Sequence, residues 1–268
     1  MGTKNINILC NSTLGIPIIS ELIREGRVQS IAMPAANRDA DAEHILTLMA
    51  QQVTIPLLSI SKEKLEEDLA AWLLAYPCKA VICLTFPYKI PSAVLAMPDL
   101  GFINVHFALL PEYRGAQPIF WEIKNREPYG GITVHRMNGQ WDEGNILFRH
   151  TVKILPHLTY GQHIGRLTRE SIHLLPGLIK LIEADIIMQG EKQEQGNYKP
   201  KPVYQDVKLN WERDGSQDLM ATIKACNPWN KGAYCLVNGM QIRILDAETT
   251  DTLYGNEWGK SGSIWLSP

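Results

Sequence analysis

The sequence predicts an α/β protein with a doubly wound, mostly parallel sheet and a smaller β unit after it. Three observations carry this. Short apolar runs alternate with amphipathic runs over the first third of the chain, the pattern of strands and helices in a parallel sheet covered on both faces. A polar stretch at 189–202, carrying Gly, Lys, Gln and Pro, interrupts the pattern and reads as a linker. Beyond it, Asn238-Gly239 sits between two strand-like runs, a strong hairpin signal.

The elements follow in order. Residues 6–10 read as a first strand, Asn11-Ser12-Thr13-Leu14-Gly15 as a turn, and the next run as a helix to about residue 25. This is the strand–turn–helix start of a Rossmann-like sheet. It lacks Gly-x-Gly-x-x-Gly, so dinucleotide binding loses its main support. Strands are predicted at 28–33, 55–58 and 80–84, with a helix at 40–52 whose Ile45, Leu48 and Met49 share a face. A helix at 61–76 opens on a capping-box-like Ser61. Pro87 and Pro91 break the loop after residue 84. A strand at 102–106 precedes a helix at 116–125. The runs 131–137 and 146–154 read as the antiparallel end of the sheet. A long helix over 160–183 is interrupted at Pro176-Gly177. A short helix at 219–225, hairpin strands at 234–237 and 241–245, and a further strand at 264–266 complete the chain. The expected domains are 1–190, a linker 191–203, and 204–268.

Composition narrows the function classes. The chain has 268 residues, 45% hydrophobic and 20% charged, as for an ordinary globular protein. A net charge of −2 gives no global basic field to draw it onto nucleic acid or anionic lipid. Cys10, Cys78, Cys83, Cys226 and Cys235 form no Cys-x-x-Cys pair and no metal spacing, and read as buried thiols in a reducing compartment. No apolar run approaches the roughly 20 residues that span a bilayer, and no signal-peptide core follows Met1. The expectation is a cytoplasmic protein, monomer or homodimer, without a membrane partner.

The chemistry concentrates between Gly101 and Gly144. Asn104 and His106 interrupt an apolar strand at spacing two, so both side chains leave one face. An amide and an imidazole at a strand end make a donor pair for one reacting atom. Asp142 follows in a Gly-flanked loop, from which a carboxylate can return to fix the imidazole's tautomer. His135, beside Arg136 on a strand, reads as structural.

Asn104-x-His106, then Leu109-Leu110-Pro111, Tyr113-Arg114-Gly115, Pro118 and Asp142, resemble the 10-formyltetrahydrofolate-dependent formyltransferases. The resemblance is strongest from Gly101 to Gly144, and Ala108 departs from the Ser that many relatives carry. It implies the formyltransferase fold, with Asn104, His106 and Asp142 as the catalytic trio. It implies a folate site between the loops 84–91 and 138–144, drawing on Leu84, Phe86, Tyr88, Ile90, Gly139 and Trp141. Tyr113, Arg114 and Gly115 are candidates for the substrate side, although Arg114 could equally tie down its own turn. No metal is implied. Asn227-Pro228-Trp229 resembles the entry to the family's C-terminal barrel domain, here OB-like and shortened.

The implied reaction moves a formyl group from 10-formyltetrahydrofolate to a primary amine. Relatives that act on transfer RNA carry a long basic loop after the second strand. Here that place, 34–43, holds one Arg against three acids, a poor surface for phosphates. The expected acceptor is therefore a small molecule, such as a nucleotide-linked amino sugar or an amino acid derivative, with nucleic acid not expected. The alternatives are a methionyl-tRNA formyltransferase, a 10-formyltetrahydrofolate hydrolase, and a folate-binding module without turnover.

Overall fold

A computed structural model describes residues 4–184 and 189–248. Contacts divide the chain into two compact units that interleave along the sequence. One takes the described residues up to Arg114, Gly131–Val152 and Arg166–Asn197; the other takes Gly115–Gly130, Lys153–Gly165 and the described residues from Tyr198 on.

In chain order the elements are β1 (Ile6–Cys10), α1 (Ile16–Arg24), β2 (Val28–Pro34), α2 (Ala40–Gln52), β3 (Leu57–Ile60), α3 (Leu65–Ala75), β4 (Ala80–Leu84), α4 (Ser92–Leu95) and β5 (Phe102–His106). Then come β6 (Arg114–Gly115), α5 (Pro118–Lys124), β7 (Tyr129–Arg136), β8 (Ile146–Lys153), α6 (Tyr160–Ser171) and α7 (Leu175–Glu183). The last are β9 (Tyr198–Lys199), α8 (Tyr204–Val207), α9 (Ser216–Ala225), β10 (Ala233–Val237) and β11 (Met240–Ile244).

The main sheet has seven strands in the order β3-β2-β1-β4-β5-β7-β8. β1 pairs in parallel with both β2 and β4, so the strand order reverses between them. Crevices at the carboxyl ends of strands beside such a reversal are where these sheets bind ligands. β4–β5 is parallel and β5–β7 antiparallel, as the more β-branched run predicted. β1 and β4 are fully buried, which explains their continuous apolar runs. On one face Leu9, Ala32, Val81 and Phe102 of the strands pack with Leu69 and Trp72 of α3 and with Phe86, Ile90 and Val94.

Buried polar groups in this layer are paired. Trp72 Nε1 donates to Ser30 Oγ (2.8 Å), Ser30 Oγ to Asn7 Oδ1 (2.8 Å), and Asn7 Nδ2 to the Tyr76 carbonyl (2.7 Å). This chain joins β1, β2 and the end of α3 and spares Asn7 the cost of an unmade bond.

Several boundaries differ from the sequence expectation: β3 runs Leu57–Ile60 rather than 55–58 and α9 starts at Ser216 rather than 219, and two further differences have a visible cause. α3 begins at Leu65 rather than Ser61, because the Ser61 side chain donates to Glu63 and its N–H to Asp68 Oδ2, away from a helix N-cap. The long helix breaks at a 3-10 turn, Ile172–Leu174, and Pro176 then sits in the first turn of α7, where a missing N–H is harmless.

In the second unit Phe120 of α5 packs its ring 5.1 Å from those of both Trp121 and Trp229. β10 and β11 form the expected hairpin, with Asn238 and Gly239 at φ +50 and +78, as a two-residue primed turn requires. Among the described residues the strands of this unit are that hairpin and the short β6–β9 pair; the strand expected at 264–266 lies outside them. Glu122, also in α5, is buried, and its Oε2 has no hydrogen-bond partner among the described residues.

Burial, and secondarily the charge of Glu127, hold the Glu122 carboxyl well above the usual carboxylate range. A group whose pKa rises on folding contributes fully below its unfolded pKa, and that contribution is lost as pH climbs through the folded value. Glu122→Met, which conserves volume and removes the titration, is therefore expected to gain melting temperature over the wild type progressively from pH 4 to pH 8. The gain should be about 2–4 °C per 1 kcal/mol of the burial penalty, and melting curves by circular dichroism across that range provide the check.

Candidate active site

β5 ends at the carboxyl edge of the sheet, and its alternation sends Asn104 and His106 to one face. β7 lies antiparallel beside it in a register that sets Asn104 opposite His135 and His106 opposite Thr133. The loop after β7 brings Asp142 back to the same place. Asp142 adopts φ +53, a left-handed conformation that Asp tolerates better than most residues. Gly144 makes the return possible, since a Cβ there would run into the Arg136 carbonyl oxygen.

The hydrogen bonds determine which atoms are available. His106 Nε2 lies 2.9 Å from the Tyr113 carbonyl oxygen, which only accepts, so Nε2 carries the proton. His106 Nδ1 therefore faces Asp142 Oδ1, at 3.7 Å. The tautomer is set by the Tyr113 carbonyl and not, as the sequence suggested, by Asp142, whose carboxylate stands beyond hydrogen-bond range of the ring. His135 Nδ1 lies 2.9 Å from the Arg136 carbonyl, so its Nε2 accepts from Asn104 Nδ2 (3.0 Å). The same Nδ2 donates to Asp142 Oδ1 at 3.3 Å, the longer and weaker of the two bonds.

The cluster thus has four members. His135 is buried at 2% exposure, and its Nε2 is 3.6 Å from Asp142 Oδ1. The sequence reads His135 as structural; the β5–β7 register is what sets it against Asn104.

The other candidates are placed as follows. Leu84, Phe86 and Ile90 are buried, so these three can offer a ligand backbone rather than side chains. Tyr88 packs its ring edge-on, 5.2 Å from Phe86. Gly139 lies against Ser92 at the start of α4, so the loop 138–144 meets the segment that follows the loop 84–91. Trp141 is 40% exposed. Tyr113 is buried with φ +56. Arg114 donates to Gln193 Oε1 from Nε (3.1 Å) and Nη2 (2.8 Å), and from Nη2 also to the Glu194 carbonyl (3.0 Å). Gly115 sits in β6, paired with β9. Ala108 is fully buried, and Thr133 Oγ1 donates to its carbonyl (2.6 Å). Among the described residues no group of His, Cys, Asp and Glu could hold a metal ion, and no helix is long and apolar enough to cross a membrane.

A doubly wound sheet here gathers an amide, two imidazoles and a carboxylate at its strand ends, where α/β enzymes of this architecture bind their ligands. The chain belongs to the formyl transferase family: residues 28–179 match that family, and residues 203–267 match its C-terminal domain. It is similar to the methionyl-tRNA formyltransferase of Lachnospira eligens, 27% identical over 229 residues, covering 85% of this chain and 69% of that one. Its fold is shared by a sugar N-formyltransferase from a Shewanella species, with TM-score 0.73, 24% identity and coverage of 91% and 97%. A sugar 3N-formyltransferase, WlaRD, solved in the presence of dTDP and 5-N-formyl-THF, gives TM-score 0.72 at 18% identity, covering 95% of this chain and 89% of that one.

If His106 and Asp142 serve one proton and one developing charge, their losses should not add. His106→Ala and Asp142→Asn are each expected to slow formyl transfer by about 100- to 1,000-fold, and the double variant to be scarcely slower than the worse single. His135→Phe fills the same space without accepting from Asn104, and should cost about tenfold or more in the same single-turnover assay. Strictly multiplicative losses, or an unimpaired His135→Phe, would remove these roles.

Proposed function

We propose that this protein transfers a formyl group from 10-formyltetrahydrofolate to the primary amine of a small molecule, with Asn104, His106 and Asp142 as its catalytic residues. As the amine adds to the formyl carbon, negative charge develops on the formyl oxygen, where preorganised donors count most. Asn104 Nδ2 can meet it by releasing its long bond to Asp142. His106 exchanges a proton through Nδ1, because Nε2 is held by Tyr113. Asp142, 3.7 Å away, stabilises the cationic ring and takes the amine's proton directly or through water; that proton passes by way of His106 Nδ1 to the folate nitrogen as its bond to the formyl carbon breaks and tetrahydrofolate leaves. The folate donor is assigned to the loops 84–91 and 138–144, where backbone groups of the first and the exposed Trp141 of the second are available.

The observation that carries the small-molecule reading is the connection after β2. Its only Arg, Arg38, is spent on its surroundings: Nε donates to the Pro34 carbonyl (2.6 Å), and the guanidinium bonds Glu43 and the Ser59 hydroxyl. Asn11 ties the same turn, accepting from the Asp39 N–H and donating to the Asn37 carbonyl. Asp39 caps α2. A short, internally bonded, acidic turn is a poor clamp for a phosphate backbone. A second reading, charged initiator transfer RNA as acceptor, is favoured by the match of residues 203–267 and by the methionyl-tRNA relative.

The test is incubation with 10-formyltetrahydrofolate and a panel of nucleotide-linked amino sugars, amino acid derivatives and charged initiator transfer RNA, read by mass for one added formyl group. The best small amine is expected to exceed transfer RNA in kcat/KM by more than about tenfold; the reverse order selects the second reading. Donor consumption at the same rate with and without amines would point to a hydrolase. Calorimetry with 5-formyltetrahydrofolate is expected to show binding at micromolar protein, and its absence would count against the folate site.

A further inference from the structure

We propose that Gln193 and Asn197 are positioning residues: through their side-chain amides the segment 189–197 holds both the carboxylate and the imidazole of the site. This rests on the formyl-transfer reading above. The sequence made this segment a spacer, yet it is fastened along its length. Glu191 exchanges two backbone hydrogen bonds with Ile146 (2.8 Å each), and Asn145 Nδ2 donates to the Gln189 carbonyl (2.7 Å). Gly196 lies so close to the turn after β5 that a Cβ would strike the Pro111 carbonyl oxygen.

Gln193 has no hydrogen-bonding capacity left over. Its Nε2 donates to the carbonyls of Asp142 (2.8 Å) and Gly144 (2.6 Å), and its Oε1 accepts twice from Arg114 (3.1 and 2.8 Å). Asn197 Oδ1 accepts from the Tyr113 N–H (2.9 Å), and its Nδ2 donates to the Glu112 carboxylate. The Tyr113 carbonyl in turn accepts a hydrogen bond from His106 Nε2–H. One amide thus anchors the backbone that carries Asp142, and the other anchors the peptide that orients His106.

Backbone conformation supports the assignment independently. Asp142 (φ +53) and Tyr113 (φ +56) are both non-glycine residues in the left-handed region. Such conformations are costly and persist only where their surroundings over-determine them. The amides meet the backbone at these two residues. Because a misplacement of about 1 Å can cost about 100-fold in rate, a brace at this point acts on turnover more than on binding.

The experiment uses the full chain in single-turnover formyl transfer. Gln193→Ala is expected to lower the rate constant about 10- to 100-fold, to leave the dissociation constant for 5-formyltetrahydrofolate within about threefold, and to add nothing in an Asp142→Asn background. Gln193→Glu keeps the acceptor for Arg114 but loses both donors, and should fall as far as the alanine variant. Asn197→Ala should release His106 from a single Nε2–H form to mixed tautomers in long-range 1H–15N spectra, and Asn197→Asp combined with Glu112→Gln, which keeps the acceptor for the Tyr113 N–H without setting two carboxylates together, should restore it. Multiplicative losses in the Gln193/Asp142 double, full activity in both Gln193 variants, or an unchanged tautomer in Asn197→Ala would overturn the proposal. A wild-type protein that transfers no formyl group would defeat the functional reading alone, because the tautomer spectra still decide whether the segment orients His106.

Discussion

The site depends on how β5 meets β7. Parallel pairing on one side of β5 and antiparallel pairing on the other leave its carboxyl end open at the edge where ligands of such sheets bind. The register across the antiparallel side sets Asn104 against His135. Because strand side chains alternate, a slip of one residue would turn Asn104 and His106 to the opposite face and break the cluster. In this register Val105 lies opposite Val134, both buried.

The polar groups of the interior fall into two kinds. Asn7, Ser30 and Trp72 form a closed chain of bonds between strands and helix, so their burial adds specificity at little cost. Glu122 is buried with an oxygen that has no partner among the described residues, and burial holds its carboxyl well above the usual carboxylate range. The site cluster lies between these extremes. Asn104 has both amide hydrogens engaged, one on a short bond to His135 and one on a long bond to Asp142. His106 has one nitrogen fixed and one facing a carboxylate across a gap. An arrangement that is held yet incompletely satisfied is what a reacting atom can enter.

The loops around the cluster are held by contacts far away in sequence. Gln193 reaches residues 49 and 51 positions earlier, and Asn197 one 84 positions earlier. Long-range bonds of this kind explain how two residues in strained conformations can share one site.

The sequence by itself determined the class of fold, the strand carrying Asn104 and His106, the loop carrying Asp142, and the hairpin at Asn238-Gly239. These are short-range signals: alternation, turn chemistry and fixed spacing all act within a few residues. Helix starts were less legible, since Ser61 found nearer partners than the helix it was expected to cap. Only the tertiary structure decided that His135 joins the cluster, that Tyr113 rather than Asp142 sets the imidazole's tautomer, and that a polar stretch read as a linker braces the site. Each of these depends on a register or a side-chain bond between segments distant in sequence, and a polar amide in a Gly-rich stretch has the same local character whether it faces water or a strained carbonyl.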